Sequence, residues 1–227
     1  MHSDEDSKAV RAVAEAAGKV VDAAREFGGF IGKYVGGPLE QGIGIFEDKL
    51  WYMRWERQQR LMAKAKQFLA ANEMSGPTRR ISMKVAIPLL QGASLEEDDE
   101  LQDRWAKLLV NAADEDSGID VSRIYITILE RITRFEAQVL DKIYSVPKEK
   151  ANKGIWTRDL PDAVILDPNK DEDMSLAPQL EVALANLAQL YLITGALFWG
   201  GGQGLTCVHQ TRLGQAFIDA CKLRSEK

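Results

Sequence analysis

Apolar residues recur at steps of three and four along the first part of the chain, from about residue 8 to residue 36. Charged residues fill the positions between them. The apolar positions are Val10, Val13, Ala17, Val20, Ala24, Phe27, Ile31 and Tyr34. This periodicity predicts an amphipathic helix with a near-heptad apolar seam, which Pro38 is expected to end.

The second half of this helix is unusually rich in glycine. Ala24, Gly28, Gly32 and Gly36 lie four residues apart, so in a helix they form one row of small residues. Such a row lets a second helix approach closely. Each glycine inside a helix costs about 1 kcal/mol relative to alanine, so several of them favour either a helix used for contact or a loop. The loop alternative has the helix ending near Phe27.

A mixture of aromatic and basic residues opens the next expected helix, over residues 46–72. The mixture consists of Trp51, Tyr52, Arg54, Trp55, Arg57 and Arg60. Aromatic and basic side chains together are typical of helices that lie at a membrane surface. The alternative is that the aromatic rings pack on the core of the protein.

The centre of the chain is expected to form further helices. Gly76 and Pro77 break the pattern, and a short helix is expected over residues 83–91. Ser94 and Glu97 have the spacing of a capping box, which predicts the start of the next helix. Another helix is expected over residues 121–132.

The C-terminal part of the chain is expected to contain strands as well as helices. Thr133 and Glu136 have the spacing of a second capping box. A helix over residues 176–190, a β-hairpin over 192–210 with a glycine turn, and a final helix capped by Thr211 complete the pattern. Helix, helix, hairpin and helix is the order of a winged-helix-type module.

These patterns predict a mainly α-helical protein in three parts. An amphipathic, glycine-rich segment covers residues 1–45, and a central helical domain covers residues 46–132. A winged-helix-like module with a β-hairpin covers residues 133–227.

The composition of the chain limits which partners it could bind and in which cell compartment it could lie. The net charge is −5 and the chain has 2 cysteines, without a CxxC pair. The acidic start resembles no signal peptide, and no apolar run is long enough to span a bilayer. We therefore expect a cytoplasmic protein. Residues 176–191 contain no Lys or Arg, so duplex DNA would find no phosphate-neutralising charge there, and nucleic-acid binding is not expected.

Few residues of the chain could serve as a catalytic nucleophile or general base. The histidines are His2 and His209, and the cysteines are Cys207 and Cys221. Cys207 and His209 share a face of one expected strand but lack a third, orienting group. The acidic run over residues 96–103 is expected to stabilise a helix N-terminus. We expect no catalytic site, no metal and no cofactor.

The central motifs resemble those of a known family. They are Ile87-Pro88-Leu89-Leu90, the acidic run that ends at Leu101, Trp105-Ala106-Lys107-Leu108-Leu109, and Glu136-Ala137-Gln138-Val139-Leu140. Together with Thr211, Leu213-Gly214 and Phe217, they resemble the Abi-alpha (abortive infection alpha) family. The resemblance implies a bacterial phage-defence role and supplies no catalytic residues.

The expected function is therefore abortive-infection-like defence without enzymatic turnover. The N-terminal segment would act through homo-oligomers, contact with the inner-membrane surface, or both, and a protein partner or phage component would trigger it. The first alternative is a regulator or adaptor that uses the winged-helix module to bind a partner protein or DNA. A nuclease or other toxin enzyme is the second, and it lacks a credible site.

Overall fold

The computed structural model describes residues 22, 25–35, 55–168, 175–197 and 203–226. The described chain is mainly helical and carries a small three-stranded antiparallel sheet, which confirms the predicted class. It divides into two compact units, Met1–Arg123 and Ile124–Lys227. The expected boundaries after residues 45 and 132 stay predictions.

Helices make up the described part of the N-terminal unit. Residues 25–34 form α1, Trp55–Ala71 forms α2, Met83–Leu95 forms α3 and Asp99–Ala113 forms α4. A 3-10 turn, Glu115–Ser117, follows α4. The helices α2, α3 and α4 pack on one another. Their shared core consists of Leu61, Met62, Ala65, Leu89, Leu90, Trp105, Leu108 and Leu109.

The glycine-rich part of α1 is helical, so the expectation of a helix ending near Phe27 is wrong. The apolar seam explains why. Phe27, Phe30, Ile31 and Tyr34 are all buried, and burial of four large side chains outweighs the helix cost of the glycines. The end of α1 is also anchored, because the Ile81 N–H donates a 2.7 Å hydrogen bond to the Tyr34 carbonyl.

The C-terminal unit surrounds its sheet with helices. Arg123–Leu129 (α5), Arg134–Tyr144 (α6) and Lys148–Ala151 (α7) precede the short strand Ile155–Trp156 (β1). Pro178–Gln189 (α8), Ile193–Leu197 (β2), Gln203–Gln210 (β3), Arg212–Ala220 (α9) and a 3-10 turn, Arg224–Glu226, follow.

The sheet has the order β1-β3-β2, and both pairings are antiparallel. Ile155 pairs with Val208, and Thr194 pairs with His209. The two strands of the predicted hairpin are confirmed, while its glycine turn lies outside the described residues. The strand β1 has 2 residues, too few for an alternating pattern to reveal it in the sequence.

Two of the three predicted helix caps are confirmed. Thr133 and Glu136 form a reciprocal capping box on α6, and the Thr211 hydroxyl accepts from the Gly214 N–H on α9. The cap at Ser94 is wrong. Its hydroxyl donates a 2.6 Å hydrogen bond to the Leu90 carbonyl inside α3, a local bond that competes with capping. Asp98 caps α4 instead, through bonds from the Glu100 and Leu101 N–H groups.

Within the described ranges, none of the helices combines the length and the hydropathy needed to cross a bilayer.

Candidate functional site

A row of ion pairs joins α2 to the start of α4. The Arg57 guanidinium donates to the Leu95 carbonyl at 2.9 Å and pairs with Glu97. Arg60 pairs with Asp99 at 2.8 Å. Further along, Lys64 pairs with Asp103. We call these six charged side chains the ionic clasp. Its cations lie at steps of three and four residues, so they share one face of α2.

The acidic half of the clasp is held by its own backbone. The Glu96 carboxylate accepts from the N–H groups of Glu97 and Asp98 at 2.9 and 3.0 Å. Asp98 then caps α4, and the acids that follow lie in its first turn, where the helix dipole favours negative charge. The acidic run therefore has a structural task.

The helix that the acidic run begins, α4, carries a tightly packed aromatic residue. The Trp105 side chain is only 1% exposed and its ring lies directly against Gly92 of α3. A Cβ placed on Gly92 would lie 2.8 Å from Trp105 Cζ2, closer than real Cβ atoms approach a neighbour. The tryptophan of the central motif thus needs a glycine on the facing helix.

The outer side of α1 carries glycine. Gly28 and Gly29 are exposed, and a Cβ placed on either would meet nothing within 4 Å among the described residues. Gly32 is partly exposed on the same helix. Ala24 and Gly36, the ends of the predicted row, lie outside the described side chains. Gly28 and Gly29 therefore make no close contact with the described residues.

The structure divides the predicted aromatic-basic mixture. Arg57 and Arg60 belong to the ionic clasp, and Trp55 begins α2, with a side chain that is not among those described. Trp51, Tyr52 and Arg54 lie outside the described residues. The membrane role of this set stays a prediction. Lys64 was not among the predicted residues, and Asp103 was predicted only as part of the acidic run. The spacing of the cations at 57, 60 and 64 against the acids at 97, 99 and 103 carried the signal for their pairing.

Cys207 and His209 both lie on β3. Cys207 is buried, and burial raises the pKa of its thiol. A raised pKa disfavours the thiolate that a nucleophilic cysteine needs. Among the described side chains, no three His, Cys, Asp or Glu residues converge in a way that could hold a metal ion.

Comparison with known proteins gives one match. Residues 56–196 match the family model described as abortive infection alpha. This stretch starts at the second residue of α2, ends within β2, and includes the whole ionic clasp and Trp105. No curated protein and no solved structure matches the chain.

Proposed function

The chain belongs to the abortive infection alpha family, and from this premise we propose that it is a phage-defence protein that acts by contact and not by turnover. The contact surface is the outer side of α1, and the partner is a second copy of the chain. The place of action is the cytoplasm, where the same segment also has access to the inner-membrane surface.

The observation that carries this proposal is the two-sided character of α1. Its inner side is fixed by the buried Phe27, Ile31 and Tyr34. Its outer side presents Gly28 and Gly29, where an added Cβ would meet none of the described residues within 4 Å. The distance between packed helices depends on the side chains at the contact, so a glycine surface allows an unusually close approach. The helix is therefore held in place by its inner side, and its outer side carries small residues between exposed charged ones.

The pairing of Arg57 and Arg60 makes anionic lipid a less favourable target than a second copy of the chain. Arg57 and Arg60 were the described cations of the expected membrane-facing mixture, and both are paired with acids of the same chain. The charge of a paired guanidinium is largely neutralised at the distances where a lipid headgroup would feel it. A protein contact through α1 needs neither arginine.

Two features of the strand that carries Cys207 and His209 argue against catalytic turnover there. The raised thiol pKa of Cys207 and its burial disfavour nucleophilic chemistry. His209 lies two residues further along the same strand, without a third group to orient it among the described residues. These observations support a protein that acts as a binding or assembly component.

A second candidate function uses the C-terminal unit, which we propose to be a winged-helix-like module that binds a partner protein. On α8, Val182 is 70% exposed, and Glu181, Ala185 and Gln189 are exposed beside it. Asn186 is occupied, because it donates to the Glu136 carboxylate at 2.7 Å. An exposed surface with an apolar centre and no cation suits a protein better than the phosphates of DNA.

The test replaces Gly28 with leucine. Gly28→Leu should raise the dissociation constant of the oligomer about fivefold or more, because a bulky side chain at a close contact costs about 1–3 kcal/mol. It should also reduce phage protection in cells. The fold should survive, because no described residue lies within 4 Å of a Cβ placed on Gly28. Light scattering after size-exclusion chromatography gives the assembly state, and circular dichroism gives the helix content.

Glu149→Leu is the control. Glu149 is exposed on α7 of the C-terminal unit, so the same side chain is added outside α1. Assembly and protection should be unchanged. If Gly28→Leu and Gly32→Leu both assemble and protect as the wild type does, the outer side of α1 is not the effector surface.

A further inference from the structure

A surface cavity of about 350 Å³ lies in the C-terminal unit. Residues at α7, at the end of β3 and along α9 line it. Its lining includes the charged or polar side chains of Lys148, Asn152, His209, Arg212, Gln215 and Asp219. Neither the expected DNA-reading helix nor the contact surface of α1 includes any of them. The cavity is therefore independent of the proposed function.

The backbone that carries the cavity side chains is fixed. The Gln210 amide donates to the carbonyls of Ile143 and Val146, both at 2.8 Å. The Thr211 N–H donates to the Tyr144 hydroxyl at 2.9 Å. His209 and Arg212 flank this anchored dipeptide directly. A ligand would meet a prearranged wall, which lowers the ordering cost of binding.

The cavity carries an excess of positive charge. Among the described residues, neither Lys148 nor Arg212 takes part in an ion pair. The carboxylate of Asp219 is the one acid of the lining, and it already accepts a 3.0 Å hydrogen bond from Gln215. Two cations thus stand against one carboxylate. The N-terminal end of α9, the positive end of its dipole, lies at the same place.

We propose that this cavity binds a small molecule that bears phosphate. The planar guanidinium of Arg212 suits a phosphate oxyanion with two parallel hydrogen bonds, and Lys148 supplies a second positive charge. His209 and Asn152 offer hydrogen-bond donors at the rim. A volume of about 350 Å³ exceeds a bare oxyanion and lies in the range of small-molecule sites. Nucleic-acid backbone has the same phosphate chemistry, so the test includes both sources.

Isothermal titration calorimetry on the full chain tests the proposal with three probes: sodium pyrophosphate, ATP and a short DNA duplex. Pyrophosphate or ATP should bind one per chain, with a dissociation constant of about 1 mM or tighter, and more weakly at higher salt. Arg212→Ala and Lys148→Ala should each weaken binding about tenfold or more. Asp219→Asn should tighten it, because it removes the one negative charge of the lining.

Lys150→Ala is the matched control, because Lys150 is exposed on the same short helix as Lys148 but does not line the cavity. Its binding should equal that of the wild type. The proposal is overturned if neither small probe binds saturably, or if binding survives both Arg212→Ala and Lys148→Ala. Duplex binding that is lost in Arg212→Ala, without binding of either small probe, also overturns it and assigns the cavity to nucleic acid. Oligomer assembly through α1 is measured separately, so either proposal can fail alone.

Discussion

Replacing Gly92 with alanine sets two physical effects of opposite sign against each other. Helix propensity alone predicts that Gly92→Ala stabilises the protein by about 1 kcal/mol, because Gly92 lies inside α3. The structure predicts the reverse. The added Cβ would overlap the Trp105 ring, with 2.8 Å to Cζ2 and 3.1 Å to Cζ3. That ring is buried and cannot swing away into solvent.

The magnitude follows from these two terms. Overpacking of a rigid core costs about 1–3 kcal/mol, and a contact with a buried ring belongs in the upper half of that range. After the gain of about 1 kcal/mol in propensity, Gly92→Ala should destabilise the protein by about 1–2 kcal/mol. With a urea slope of about 2 kcal/mol per molar, the midpoint should fall by roughly 0.5–1 M.

The assay is urea unfolding followed by circular dichroism, with Gly28→Ala as the matched control. Gly28 is also a helical glycine, but its Cβ would meet nothing within 4 Å, so Gly28→Ala should be neutral or stabilising. A Trp105→Phe background removes part of the clashing ring, and there Gly92→Ala should lose at least about 1 kcal/mol of its cost. If Gly92→Ala stabilises the protein as Gly28→Ala does, the packing argument is wrong.

Two further predictions concern Tyr144. Gly214→Ala should destabilise the C-terminal unit by about 2–4 kcal/mol in thermal or urea unfolding. The added Cβ would lie 2.6 Å from Tyr144 Cζ and would displace the Tyr144 hydroxyl, which donates to the Leu192 carbonyl. An unchanged unfolding midpoint would contradict this. Burial raises the pKa of Tyr144 above its ordinary 10.0, so its contribution to stability is complete below pH 10.0 and is lost as the pH rises through the folded-state pKa. The unfolding free energy of Tyr144→Phe should therefore fall less steeply above pH 10.0 than that of the wild type. The same pH dependence in both proteins would refute this.

Local patterns in the sequence were enough to predict most helices and the hairpin strands. Periodicity placed α3 and α9, and short-range spacing placed the capping box at Thr133 and Glu136, because both signals act within one or two turns of a helix. Ser94 shows the limit of such signals. A serine hydroxyl can bond forward as a cap or back to a carbonyl four residues earlier, and the sequence alone does not choose.

Contacts between distant segments were the part that the sequence could not supply. The clasp joins residues 39 to 40 positions apart. The need for glycine at position 92 arises only when α4 packs on α3. The cavity in the C-terminal unit likewise collects Lys148 and Arg212 from separate elements. The sequence shows the basic and the acidic residues of the clasp as two separate groups. Their pairing depends on the packing of α2 against α4.

Each unit contains an aromatic residue pressed against a helical glycine, Trp105 on Gly92 and Tyr144 on Gly214. Neither member of such a pair can change alone without loss, since a larger residue at the glycine needs a smaller ring opposite it. The route between the native pair and any alternative pair therefore passes through a destabilised single mutant. Sequence drift in this protein should leave both pairs unchanged or exchange both members together.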